Sequence, residues 1–298
     1  MIINSVPIDA TFAEAFDMKA TRLILTANDR QWVRESAAAL TGFGTSVIAC
    51  GLEIAVEREL SESETPDGRP GVAILGFAVS SKELEKQIPR RTGQCVLTCP
   101  TTAIYAGIDG EKRVPLGKGL RYFGDGYQIS KVVGGRRYWR IPVMDGEFVC
   151  EQDTARIEGV GGGNFIMIGT DIDAVTLACR AAVAAIARLP AVITPFAGGA
   201  TRSGSKVGSK YKNLVASTNE AYCPTLRGVV SSELSEVEHV VLEVVIDGVT
   251  AEDVAGAMRE GIYAACEAAG GRGLLRISAG NYGGKLGRHH FHLHEVLR

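Results

Sequence analysis

The feature that most narrows the folds open to this chain is an order of elements that it runs through twice. Hydrophobic period predicts a strand at Arg22–Ala27, "RLILTA", then a helix at Gln31–Leu40, "QWVRESAAAL", that ends before Gly42. After a loop containing "ETPDGRPG" comes a strand at Val72–Val79. Ser81 is placed to cap a helix from Lys82 to about Arg91, and Cys95–Thr98 reads as a third strand. From Asn164 the order returns, with a strand at Asn164–Gly169, "NFIMIG", and an alanine-rich helix at Ala174–Arg188 with a wide apolar face. Val240–Asp247, "VVLEVVID", is a strand with Gly248 as its stop. Thr250 caps a helix through about Ala269, with Glu252 and Asp253 in the first turn, where acidic residues favour the helix dipole. Leu274–Ser278 and the segment up to Leu293 supply closing strands.

A duplicated α+β unit of the split-βαβ type accounts for this order: two ferredoxin-like lobes arising from an internal duplication. A doubly wound sheet is the rival, but it needs regularly spaced helices and a shorter connection than the one between Pro195 and Glu238. The segment "RRYWRIPVMDGEFVCE" bridges the halves. The boundary is placed near Gly146, giving an N-terminal lobe over 1–146 and a C-terminal lobe over 147–298.

A net charge of -2 argues against nucleic-acid binding, which usually shows as a clearly basic domain. No apolar run approaches the roughly eighteen residues of a membrane span, and the start lacks a secretion signal, so a cytoplasmic location with no membrane partner is expected. The seven cysteines form no C-x-x-C pair. Cys95 and Cys99, four apart on the strand predicted there, share a face and read as buried free thiols ahead of a metal or redox site.

The stretch "GSKVGSK" at Gly204–Lys210 invites comparison with the phosphate-cradling G-x-x-x-x-G-K-[ST] loop. It fails: only three residues separate Gly204 from Gly208, Ser209 precedes Lys210, and Tyr211 stands where the metal-binding hydroxyl belongs. It reads as a long basic loop, either solvated or holding an anion through Arg202, Lys206, Lys210 and Lys212 with interleaved Ser205 and Ser209.

Several segments taken together carry a resemblance: "DATFAEAFDMKATR", "TGFGTSVIACG", "ETPDGRPGV", "GQCVLTCPT", "RYFGDGYQ", "YWRIPVMDGEF", "GGGNF", "SGSKVGSKY", "ASTNEAYCPTL", "VIDG" and "ISAGNYGGKLG". In this order, from about Asp9 to His294, the chain resembles the formylmethanofuran:tetrahydromethanopterin N-formyltransferases, and more the bacterial ones than the archaeal. The resemblance implies transfer of a formyl group between methanofuran (or methylofuran) and N5 of tetrahydromethanopterin, both as substrates, with no metal and no permanently bound cofactor. It also implies a homo-oligomer, a tetramer, and for the bacterial type hydrolase subunits as partners. A noncatalytic coenzyme-binding scaffold of a one-carbon complex and a nucleotide-dependent transferase are the competing readings.

Formyl transfer between amines passes through a tetrahedral intermediate, so it needs a stabiliser for the developing oxyanion and a proton donor for the leaving amine. A carboxyl with a pKa lifted toward neutrality serves as both acid and base. Glu243 is the candidate: it lies between aliphatic neighbours in "VVLEVVI", and the resemblance places the catalytic glutamate four residues before "DG". The competing reading has Glu243 pointing outward from a half-exposed strand. Tyr122, Phe123 and Tyr127 of "RYFGDGYQ" offer flat surfaces for a pterin or furan ring, with Asp125 and Gln128 for its polar edges, or else anchor a glycine turn. The glycine-dense Gly159–Phe165 and Ser278–Gly287, the latter with Asn281 as a binding candidate, could bring backbone N–H groups to an oxyanion or simply turn. His290, His292 and His294 alternate along a predicted strand. A surface strand is preferred there to a zinc site.

Overall fold

The computed structural model describes residues 1–298, which divide into two compact units: Met18–Gly159, and Met1–Asp17 together with Val160–Arg298. Strand β1 (Phe12–Thr26) enters the first of these at Met18 and is followed by α1 (Arg30–Thr41), β2 (Glu53–Leu60), β3 (Gly71–Ala78), α2 (Ser81–Cys95) and β4 (Ala103–Ala106). All neighbours are antiparallel, in the order β4-β1-β3-β2; Leu23 of β1 lies opposite Ile74 on one side and Ala106 on the other. The helices cover one face, where Val33, Ala37 and Leu40 of α1 and Leu84 and Ile88 of α2 meet Leu23, Leu25, Ile54 and Ile74. Asp29 caps α1 by accepting from the N–H groups of Gln31 and Trp32.

Four further strands complete this unit: β5 (Lys112–Pro115), β6 (Ile129–Val133), β7 (Arg136–Val143) and β8 (Gly146–Glu151). β8 joins β4 in parallel, and β7 and β6 continue the sheet as an antiparallel meander. Gly146, where the lobe boundary was placed, opens β8, within a hairpin.

In the second unit the order of elements returns. Strand β9 (Asp153–Gly169) enters at Val160, followed by α3 (Ile172–Ile186), β10 (Val192–Ile193), the small hairpin β11 (Ser205–Val207) and β12 (Ala216–Thr218), then β13 (Val240–Gly248), α4 (Ala251–Ala269) and β14 (Leu274–Ser278). The sheet runs β14-β9-β13-β10, again antiparallel throughout. In both units, then, the fourth strand lies beside the first, the first beside the third and the third beside the second. On one face Phe165, Met167, Val244, Ile246 and Ile277 pack against Val175, Ala178 and Ala182 of α3 and Val254, Met258 and Ile262 of α4. Their alanines let the two helices lie directly against each other. Thr250 and Asp253 form a reciprocal capping box at the start of α4, as its sequence predicts.

Four local readings need correction. Cys95 closes α2 and Cys99 lies in the turn beyond it, because Thr102 ties that turn down by donating to Val96 O and Cys99 O; Cys95 and Cys99 are partly buried and share no strand. Ser80, not Ser81, caps α2, accepting from Glu83 N. Strands β2, β4 to β8 and β10 to β12 are not in the sequence reading: β2 is rich in charge, β10 is two residues long, the segment read as a bridge between the halves is the β7–β8 hairpin, and the basic loop contains β11 and β12. Only His289–His292 form the last strand, β15, paired with Phe12–Ala15; His294 falls in the short helix α5 (Leu293–Val296), so the three histidines do not share a strand face.

Close packing of α4 on β9 depends on Gly163, where a Cβ would sit 2.2 Å from Val254 Cγ1. Gly163→Val is therefore expected to destabilise the protein by about 1–3 kcal/mol in urea unfolding, the usual cost of overpacking a core.

Candidate functional site

Period 2 along β13 sends Leu242, Val244 and Ile246 to the helix-covered face and Val241 and Glu243 to the other. Glu243 stands opposite Ile166 of β9, and Ile166 stands opposite Ser278 of β14. On its outer side Glu243 pairs with Thr201, exchanging both backbone hydrogen bonds at 2.8 and 2.9 Å. One row therefore runs Thr201, Glu243, Ile166, Ser278 across the open face, with Asn164 and Gly280 in the next row. Further along this face Ile166 and Ile168 pack with Leu234, Tyr222 and Val241, so the long connection before β13 shields part of it.

Glu243 keeps a small exposed surface, yet burial pushes its carboxyl up from 4.5 to about 7, with no cation or N–H donor to oppose the shift. The adjacent Leu242 and Val244, which drew attention to it in sequence, face the helices, while Val241 shares its face. Its enclosure comes from the cross-strand Ile166 and from the segment at Gly280, where a Cβ would lie 3.5 Å from Glu243 Oε1 and 3.2 Å from Asn164 Oδ1.

Asn164, 6% exposed, fixes that segment. Its Oδ1 accepts from Gly280 N at 2.6 Å, and its Nδ2 donates to Gly280 O and Gly162 O at 3.1 Å each. A second buried side chain, Glu14, 1% exposed, organises the rest of the loop. Its Oε2 accepts from Tyr282 N and Gly284 N at 2.7 and 2.8 Å, its Oε1 from Leu286 N and Gly287 N at 2.6 and 2.7 Å. Burial by itself raises the pKa of Glu14, but these four donors outweigh it and bring it down to about 2. Gly287 has no room for a side chain: a Cβ would meet Ala15 O at 2.3 Å. Neither Asn164 nor Glu14 was singled out in the sequence. The signal for Glu14 was a lone carboxylate on an otherwise apolar strand face, readable only once the glycine loop is known to end beside it.

The glycine-dense loops consequently use their N–H groups internally. Those of Gly280, Tyr282, Gly284, Leu286 and Gly287 serve Asn164 and Glu14, and Gly162 N donates to Asp247 Oδ1. Asn281 donates to Thr11 Oγ1 and Phe12 O and accepts from Gly283 N, so its amide is also turned inward.

The stretch resembling a phosphate loop is the β11–β12 hairpin, in which Lys206 lies opposite Ser217 and forms an ion pair with Glu220. Arg202, next to Thr201, and Lys210 are exposed and make no ion pair, and Ser205 is exposed as well; Ser209 Oγ accepts from Tyr211 N. In the other unit, Tyr122, Phe123 and Tyr127 are all exposed, Tyr127 at 81%. The Arg121 guanidinium lies over both Tyr122 and Trp139, at 4.6 and 4.8 Å from the ring centres. Asp125 turns the chain there at φ 49°, and Gln128 Oε1 accepts from Gly126 N. The turn reading of this segment therefore fails for its aromatics, which anchor no core. No three His, Cys, Asp or Glu side chains are arranged to hold a metal ion; His290 and His294 contact Gly287 O and Ile8 O, and His289 pairs with Asp17.

The Glu14 carboxylate is expected to set an acid limit on this loop. Because its folded pKa lies below the ordinary value, its stabilisation is present above about pH 4.5 and is lost as pH falls through about 2. Glu14→Gln presents an amide NH₂ to some of the four N–H donors. At neutral pH it is expected to cost about 2–4 kcal/mol in chemical unfolding and to raise hydrogen exchange in 282–287.

Two family models match the chain. Residues 1–143 match a family described as formylmethanofuran-tetrahydromethanopterin formyltransferase, and residues 146–296 match its proximal lobe. A formylmethanofuran–tetrahydromethanopterin formyltransferase of Rhodopirellula baltica is 65% identical over 309 residues, spanning 99% of this chain and 92% of the relative. One subunit of the formyltransferase/hydrolase complex of Methylorubrum extorquens is 48% identical, spanning 99% of this chain and 97% of the relative. The crystal structure of that organism's formyltransferase/hydrolase complex with methylofuran contains a chain that superposes with a TM-score of 0.97 at 47% identity, covering 100% of this chain and 99% of the other. The formyltransferase of Methanosarcina barkeri superposes with a TM-score of 0.93 at 43% identity, covering 99% and 100%.

Proposed function

We propose a course of reaction for this chain, which belongs to the formylmethanofuran-tetrahydromethanopterin formyltransferase family and is a formyltransferase of one-carbon metabolism. Its substrates are the formyl carrier of the furan type and tetrahydromethanopterin. N5 of the pterin attacks the formyl carbon, a C–N bond forms, and the carbonyl electron pair moves onto oxygen. As the intermediate collapses, the original C–N bond breaks and the furan coenzyme's amine leaves. N5 gives up one proton and the leaving nitrogen takes one, so a single group that accepts and then returns a proton balances the sequence.

Glu243 is that group. The observation that carries the assignment is a carboxyl on the open face of the sheet, held near neutrality by burial and engaged by no partner of its own. As a carboxylate it receives the N5 proton; as a carboxylic acid it protonates the departing amine. The same observation favours catalysis over a noncatalytic scaffold, for which an unpartnered enclosed carboxyl is only a cost.

Arg202 and Lys210, with Ser205, Ser209 and the paired Lys206, take the anionic groups of the coenzymes. Tyr122, Phe123 and Tyr127 are surfaces for a flat ring, with Asp125 and Gln128 at its polar edges, and Asn281 acts by holding its loop. Both units are ferredoxin-like lobes, supported by the strand order fourth-first-third-second that each displays. Association with hydrolase subunits is supported by the complex that the Methylorubrum relative forms; homo-oligomerisation, as a tetramer, is what the family resemblance implies, and the fully exposed edge strand β6 is open to a partner. The seven unpaired cysteines accord with the reducing cytoplasm, and no helix is long and apolar enough to cross a membrane.

Glu243→Gln is expected to lower kcat by about 10²-fold or more with KM changed little, and to abolish an ionisation near pH 7 in the wild-type kcat profile. A scaffold would show no turnover to lose. Stability follows the same ionisation. The folded pKa is raised, so the contribution of Glu243 to stability is fully present below about pH 4.5 and falls by up to about 3 kcal/mol as pH rises through about 7, whereas Glu243→Gln lacks that loss in pH-dependent chemical unfolding. Lys210→Glu is expected to raise KM by about tenfold at low salt, with kcat changed less, and the effect should shrink as salt is added.

A further inference from the structure

We infer that Asn164 is a positioning residue for the formyl transfer: by gripping Gly280 through both its N–H and its carbonyl, it holds the loop backbone as the wall that keeps water from the Glu243 carboxyl. The inference rests on the assignment of Glu243 as the proton carrier.

Asn164 lies on the same face as Glu243, on the neighbouring strand and two residues from the directly opposed Ile166. Its amide is almost completely buried and every polar atom is used, Oδ1 by Gly280 N and Nδ2 by the carbonyls of Gly280 and Gly162. An amide is the side chain this geometry requires, since only it accepts from one N–H and donates to two carbonyls at once. Gly280 in turn is the residue whose α-carbon faces Glu243 Oε1, and Glu14 N donates to Gly280 O at 3.2 Å, so the wall is held from both sides. A structural amide could grip any loop. This one grips the loop residue that abuts the catalytic carboxyl.

The charged groups on the elements packed around Glu243 are otherwise engaged. Arg276 of β14 is bound by Glu238 and Asp9, Glu14 by four backbone donors, and Asp247, further along β13, by Gly162 N; Arg202 beside Thr201 is exposed. None contributes to the state of Glu243, which burial alone determines. Loosening the wall should therefore lower the apparent pKa of the reaction, and thickening it should raise that pKa.

The test is the pH dependence of kcat with formylmethanofuran and tetrahydromethanopterin, read for the wild type, Asn164→Ala, Gly280→Ala and Glu243→Gln, with thermal melts of each. Asn164→Ala is expected to move the midpoint down by about one pH unit or more and to lower kcat by about 10–100-fold, with KM within about threefold of wild type. Gly280→Ala leaves the backbone N–H and carbonyl that Asn164 grips in place and adds a methyl 3.5 Å from the carboxyl and 3.2 Å from Asn164 Oδ1, so its midpoint is expected to move up; it also serves if Asn164→Ala does not fold. A lowered Tm in either variant with an unmoved midpoint would make Asn164 a structural residue only and overturn the inference while leaving Glu243 in place. Wild-type turnover in Glu243→Gln would remove the acid–base assignment itself, and the inference with it.

Discussion

A carboxyl without a partner is the constraint on which the rest of this molecule depends. Glu243 sits on a strand whose other face carries the hydrophobic core, so its position is rigid, while its carboxyl is enclosed by cross-strand Ile166 and by loop backbone at Gly280. An enclosed carboxylate with no hydrogen bonds is costly, and the protein avoids that cost by leaving the group neutral until about pH 7. That is also the state from which it can lend a proton.

Glu14 supplies the contrast. Both glutamates belong to the same unit, and burial pushes both upward, yet they end about five pH units apart because Glu14 receives four backbone N–H groups and Glu243 none. The loop between them is folded by the first and faces the second. A glycine-rich sequence permits this because the backbone has to approach Glu14 closely enough to donate four times, leaving no room for a Cβ at Gly287. The loop that looked like a set of donors for a reaction intermediate is instead a wall, its donors turned inward.

Much of the fold was legible because its long elements carry clear periods. The helices at Arg30–Thr41 and Ala251–Ala269 and the strands at Gly71–Ala78, Val240–Gly248 and Leu274–Ser278 lie within two residues of their sequence readings. Strands β2 and β10 were missed, one because salt-bridging charges such as Glu57 and Glu59 mask its alternation, the other because two residues carry no period. Cys95–Thr98 failed because a short apolar run does not reveal whether the preceding helix has ended. The burial of Glu243 was legible in its apolar surroundings, although the pleat turns the adjacent Leu242 and Val244 away from it and leaves only the flanking Val241 on its face. Asn164 and Glu14 act through partners more than a hundred residues away, and no local pattern could have shown them.

The most direct test of the account is a carbon-13 NMR titration of the glutamate side-chain carboxyls, with the Glu243 resonance assigned by its absence in Glu243→Gln. A resonance that titrates with a midpoint near 7 is the predicted result. A midpoint near 4.5, the ordinary glutamate value, would mean that the carboxyl is hydrated in the folded protein and would contradict the central claim.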